Sequence, residues 1–137
     1  MDKFNLSRFH SVQSTKYSDA LQEIKNGRKT THWMWYIFPQ IKGLGFSPTS
    51  KHYAIKCIEE AKAYLEDPVL ASRLREISCA MLMHAGKDAA SILGDIDAAK
   101  LFSSMTLFDV VSPDDIFSKV LDAFFSGKRD TRTLEMI

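Results

Sequence analysis

The sequence predicts an all-α fold, an irregular multi-helix bundle forming one domain over residues 1–137, with a buried helix at its centre. Three observations carry that expectation. Apolar residues recur at helical spacing through most of the chain. Glycine, proline and capping residues punctuate those runs where helices stop and start. No stretch alternates convincingly with the period of two of a half-buried strand. The 137 residues are 45% apolar and 26% charged, ordinary proportions for a chain that buries a core.

Residues 6–13 form a short candidate helix behind Asn5, and a second runs over about 16–26 with Tyr17, Ala20, Leu21 and Ile24 on one face before Gly27. Residues 32–38 follow Thr30 and Thr31, either able to cap a helix, and stop at Pro39. This run is aromatic-rich, so a strand is the competing reading. Pro39, Gly43, Gly45 and Pro48 make 39–50 an irregular loop. From Lys51 to about Glu66 the stripe is Tyr53, Ala54, Cys57, Ile58, Ala61, Tyr64 and Leu65. Asp67-Pro68 then caps a second long helix, with Leu70, Leu74, Ile77, Met81 and Leu82 inward and a stop at Gly86. The two read as an antiparallel hairpin.

A short helical turn over 88–93 ends at Gly94, and residues 97–110 are apolar nearly all round. That pattern predicts the central helix, with Leu101, Phe102, Met105 and Phe108 buried on one side and Leu107 or Val110 on the other. Ser112-Pro113-Asp114-Asp115 resembles a capping box before a stripe of Ile116, Phe117, Val120, Leu121 and Phe124 that closes at Gly127. Asp130 is placed to cap a last helix.

Several function classes are disfavoured at this point. The longest apolar run is six residues, Trp33 to Phe38, against roughly 20 for a membrane-spanning helix. The N-terminal residues lack the apolar stretch of a secretory signal, so the chain reads as cytoplasmic. Cys57 and Cys79 have no metal or redox spacing and read as buried thiols. His10, His32, His52 and His84 are scattered without ligand spacing, so no metal is expected.

Charge is unevenly distributed. Between Glu23 and Glu59 there is no acidic residue, whereas Lys25, Arg28, Lys29, Lys42, Lys51 and Lys56 all fall there. That window carries +6 against +1 for the whole chain, leaving −5 for the remainder. The asymmetry points to a small anionic molecule or an acidic protein segment as partner, unless tertiary folding interleaves the charges again. An overall pI near 7.8 is not the footprint of a nucleic-acid binder.

His32-Trp33-Met34-Trp35-Tyr36-Ile37-Phe38-Pro39-Gln40, then Gly43-Leu44-Gly45 and Tyr53-Ala54-Ile55, resembles a small, largely bacterial family known as domain of unknown function 1810. Glu60-Ala61-Lys62-Ala63-Tyr64-Leu65, Pro68-Val69-Leu70 and Ser103-Ser104-Met105-Thr106-Leu107-Phe108 extend the resemblance over essentially the whole chain. It implies a mainly α-helical single domain. It implies no activity and assigns no catalytic residue.

The residues themselves must supply any site. Trp33 and Trp35 beside His32 in a basic segment read either as a stacking platform for a nucleotide-like ligand or as a buried aromatic cluster. His32 is the candidate general base, kept neutral near a helix N-terminus. Arg28 and Lys29 on one connection, and Lys42 and Gly43 on the other, could reach one anion, since a seven-residue helix spans only about 10 Å. Gly43, Gly45 and Ser47 of the loop, with Gln40 and Tyr53, would complete the wall, although Ser47 or Ser50 capping a helix also explains the loop. Ser103 and Ser104 with Thr106 either bond back to helix carbonyls or, with Lys100, line an internal cavity. The cofactor is left open. Two readings therefore stand, a module binding or processing a phosphorylated or nucleotide-like molecule, and a helical protein-interaction domain.

Overall fold

A computed structural model describes residues 2–137. Among them lie nine helices: α1 (Ser7–Lys25), α2 (Met34–Ile37), α3 (Pro48–Tyr53), α4 (Ile58–Glu66), α5 (Pro68–Leu82), α6 (Ala89–Leu93), α7 (Asp95–Val111), α8 (Ile116–Phe125) and α9 (Thr131–Met136). The only extended pairing among the described residues is one parallel bridge between Ile41 and Ile55. The all-α expectation holds.

The central element is α7, which packs against α8, α6, α4, α9 and α2. Leu101, Met105, Leu107 and Phe108 are buried on it, on both sides of the helix as the pattern required. Phe102 departs from expectation. It is only partly buried, stacked 4.7 Å from Phe125 at the edge of the core, while Val110 is exposed. Around α7, α5 lies against α8, α1 and α4, and one apolar cluster runs from Phe9 in α1 to Leu121 in α8.

Two boundaries differ from the sequence reading. The helices expected at 6–13 and 16–26 are one helix, α1. Nothing breaks it: the Ser14 and Thr15 hydroxyls donate to the Ser11 and Val12 carbonyls, which a helix tolerates. Conversely the helix expected from Lys51 to Glu66 is interrupted at residues 54–57. There the Ile55 N–H donates to the Gln40 carbonyl and the Lys42 N–H to the Ile55 carbonyl. The Arg8 guanidinium takes the His52 and Ala54 carbonyls at 2.9 Å each and pairs with buried Glu60 at 2.6 Å. Glu60 also accepts the Lys56 N–H. Those long-range bonds replace the helical ladder that local spacing favoured.

Caps are better anticipated. Asp67 accepts the Val69 and Leu70 N–H groups with Pro68 in the first turn, and α6 ends at Gly94 with φ 85°. The box before α8 sits later than expected, because Asp115 caps Ile116 and holds the Ser112 hydroxyl. Neither threonine caps α2; the Thr31 hydroxyl donates to Glu23 instead. Cys57 is half-buried and Cys79 exposed, so neither is the buried thiol that its helical position suggested.

Candidate functional site

The tryptophan segment is anchored by the end of α1. Glu23 Oε1 accepts the Thr30 and Thr31 N–H groups at 2.7 and 3.0 Å and Trp33 Nε1–H at 3.0 Å, and Oε2 accepts the Thr31 hydroxyl at 2.6 Å. Burial alone would raise this carboxyl, but those four bonds outweigh it and hold the pKa at about 2. Trp33 is thereby fixed and buried, packed 6.3 Å from Phe38. It belongs to the core. Trp35 is half-buried and keeps part of its indole at the surface.

Beside these rings opens a cleft of about 550 Å³, bounded by Lys29, His32, Trp33 and Trp35 on one wall and by Gly94–Asp97 and Lys100 on the other. One carboxylate meets two lysines, Lys29 from across the cleft and Lys100 from the same helix. Lys29 Nζ lies 2.8 Å from Asp97 Oδ2, and Lys100 Nζ lies 3.6 Å from Oδ1. Each ammonium also stands over an indole, Lys29 over Trp33 and Lys100 over Trp35, both at 5.1 Å. The two cations are not equivalent. The Lys29 side chain is 7% exposed and its N–H is tied to the Ile92 carbonyl, so it is committed to structure. Lys100 is 23% exposed and makes the longer pair. Helix α7 starts here without a side-chain cap.

The remaining residues of the expected site are distributed elsewhere. Arg28 is exposed and lines none of the cavities described here. His32 sits on the rim of the cleft and of a smaller recess of about 130 Å³ with Lys16, Asp19 and Tyr36. Gln40, Gly45 and Tyr53 close with Trp35 around a void of only about 10 Å³, too small for more than a water molecule. Tyr53 packs 5.2 Å from Tyr36 and 5.9 Å from Phe9. Ser47 caps α3, accepting the Ser50 N–H at 3.1 Å. Ser103 is bonded to Thr133 at 2.9 Å, and the Thr106 hydroxyl donates back to the Phe102 carbonyl. Ser104 is buried, and its hydroxyl has no partner among the described residues. Neither serine lines a cavity described here, and Ser103 is turned to α9 through its bond to Thr133.

The basic window thus does not converge. Lys29 lines the cleft and Arg28 lies exposed outside it, whereas Lys42, Gly43 and Gly45 border a separate depression of about 610 Å³ with Phe46, Lys51 and Lys56. The sequence marks neither Asp95 nor Asp97 as a site residue and shows Gly94 only as a helix stop. No local signal marks them, because Asp97 meets Lys29 only through the packing of α6 and α7 on the tryptophan segment. No group of three or more His, Cys, Asp or Glu side chains among the described residues is placed to hold a metal. No helix among them is long and apolar enough to cross a membrane.

A family model described as "Protein of unknown function (DUF1810)" matches residues 3–137. Among solved structures, the conserved hypothetical protein Rv1873 from Mycobacterium tuberculosis is similar over 98% of this chain and 96% of its own, at 38% identity and a TM-score of 0.94. No curated protein matches.

Proposed function

The chain belongs to the DUF1810 family, and from that premise we propose that it is a small-molecule-binding helical module. Its ligand is phosphorylated or nucleotide-like, seated in the cleft between the tryptophan segment and the start of α7. One observation carries the reading: a cleft of about 550 Å³, within the usual range for a ligand site, holds two lysines over two indoles with one carboxylate between them.

The inequality of the lysines gives the cleft a direction. Lys29 at 2.8 Å suffices to hold Asp97, so Lys100 is free to turn its ammonium to an anionic oxygen at little cost. The half-buried Trp35 beside it offers apolar surface to a planar group. Lys29 and Lys100 are balanced by Asp95 and Asp97 in the same lining. A lining without net charge favours a ligand with one phosphate and an aromatic or apolar body over a triphosphate, whose extra charge would find no counterpart.

The test is a thermal-shift series with adenosine monophosphate, adenosine, ribose 5-phosphate, inorganic phosphate and adenosine triphosphate. The monophosphate nucleotide should stabilise most, since ligand at 100 times its Kd adds about 2.7 kcal/mol. Lys100→Ala should abolish the shift and leave the melting temperature of the free protein nearly unchanged. No shift with any of the five at millimolar concentration would sink the proposal.

A further inference from the structure

Apart from the cleft, the loop between α2 and α3 carries a different combination of groups. Lys42, Lys51 and Lys56 surround the depression of about 610 Å³, and no acidic side chain lines it. None of the three takes part in an ion pair among the described residues, unlike Lys29. At its border the Phe46 ring is 82% exposed, on a helical module that otherwise keeps most of its aromatic rings in or against the core. Gly43, at φ 108°, brings the loop against the end of α9: a Cβ there would lie 3.0 Å from the Met136 sulfur. Met136 is itself 49% exposed, so apolar surface continues from the loop onto α9. Exposed apolar surface bordered by basic side chains has the anatomy of an interface core and its polar margin.

We propose that this face is a docking surface for an acidic segment of a partner protein, anchored by a large apolar side chain beside Phe46. Charge complementarity selects the occupant. Three uncompensated lysines on one rim attract carboxylates, and the exposed phenyl ring rewards an apolar anchor flanked by them. A membrane surface fits less well, because polybasic lipid-binding segments gather roughly 4–8 basic residues. A nucleic acid also fits less well: outside the basic window the chain carries −5, which would repel an extended polyanion. The surface is independent of the Lys100 cleft and stands or falls separately from it.

Selection of displayed random peptides on the full chain tests the proposal, followed by titration of the best synthetic peptide by calorimetry. Enriched peptides should combine Asp or Glu with an aromatic or large aliphatic residue, and their binding should weaken with salt. The Lys42→Glu, Lys51→Glu, Lys56→Glu variant should raise Kd by at least about tenfold, as should Phe46→Ser, with unchanged circular dichroism. Lys100→Ala should leave Kd unaltered. Peptides without acidic enrichment, or an affinity in either variant equal to that of the unaltered chain, would overturn it. Binding of phosphatidylserine vesicles or single-stranded DNA through the same lysines, with no peptide enriched, would also overturn it and assign the face to lipid or nucleic acid.

Discussion

Lys29 shows how packing can reverse the meaning of a residue. In the sequence it is one cation of an acid-free window; in the fold its ammonium is nearly enclosed, 2.8 Å from Asp97 and over the Trp33 ring. A buried cation is tolerated because the carboxylate and the indole together replace water. Removing the carboxylate should therefore cost more than removing both charges. Asp97→Ala should lose about 3 kcal/mol in urea denaturation at neutral pH, in the range for stranding a buried charge. The double variant Lys29→Met, Asp97→Ala should recover much of that loss, since an apolar replacement of the whole pair is often close to neutral. Equal losses in the single and double variants would show that the ion pair does not hold this junction.

At the scale of elements, α7 decides the architecture. Phe108 sits at its fully buried centre, against Tyr64 and Phe117, whereas Phe102 lies at the margin beside Phe125. Phe108→Ala should cost about 3–5 kcal/mol and Phe102→Ala less than about 2, measured from chemical denaturation midpoints. Comparable losses would mean that both rings are core. The burial of α7 was legible because apolar residues surround it, a property of one short stretch. So were the Asp67 cap and the Gly94 stop. The break at residues 54–57 was not, because Arg8 supplies it from the first turn of α1. The candidate site was legible only by half. The tryptophans and Lys29 stand in one segment, but the Asp97 that pairs with Lys29 comes from another. Charge counted along the chain could not tell committed Lys29 from Lys42, Lys51 and Lys56, which form no ion pair among the described residues.

For the whole molecule, carboxylates staple the joints between helices. Glu23 ties the end of α1 to the tryptophan segment. Asp67 caps α5 and pairs with His10 of α1 at 2.7 Å. Asp115 caps α8 and pairs with Arg75 of α5 at 2.9 Å. Hydrogen bonds from Arg75, Ile116 and Ser112 hold Asp115 at about 2 against desolvation. Asp67 is also lowered: burial opposes it, and the Leu70 N–H, His10 and the Val69 N–H prevail. Each folded pKa lies below its unfolded value, so the fold favours the charged form. The contributions of Glu23 and Asp115 are complete above the unfolded pKa near 4 and disappear as pH falls through about 2, and that of Asp67 is lost in the same direction. Partial exposure screens each group, so the individual effects are modest and weaken in salt. Their distribution matters more, because protonation loosens three separate joints as the pH falls. The urea midpoint should be flat from about pH 7 to 5 and then fall steeply to about pH 2. Glu23→Gln should lower the midpoint at neutral pH and make the acid limb shallower, because the variant has already lost one of the carboxylates being titrated. A midpoint independent of pH across that interval, or an acid limb equally steep in the variant, would show that these staples do not couple the joints to the stability of the whole.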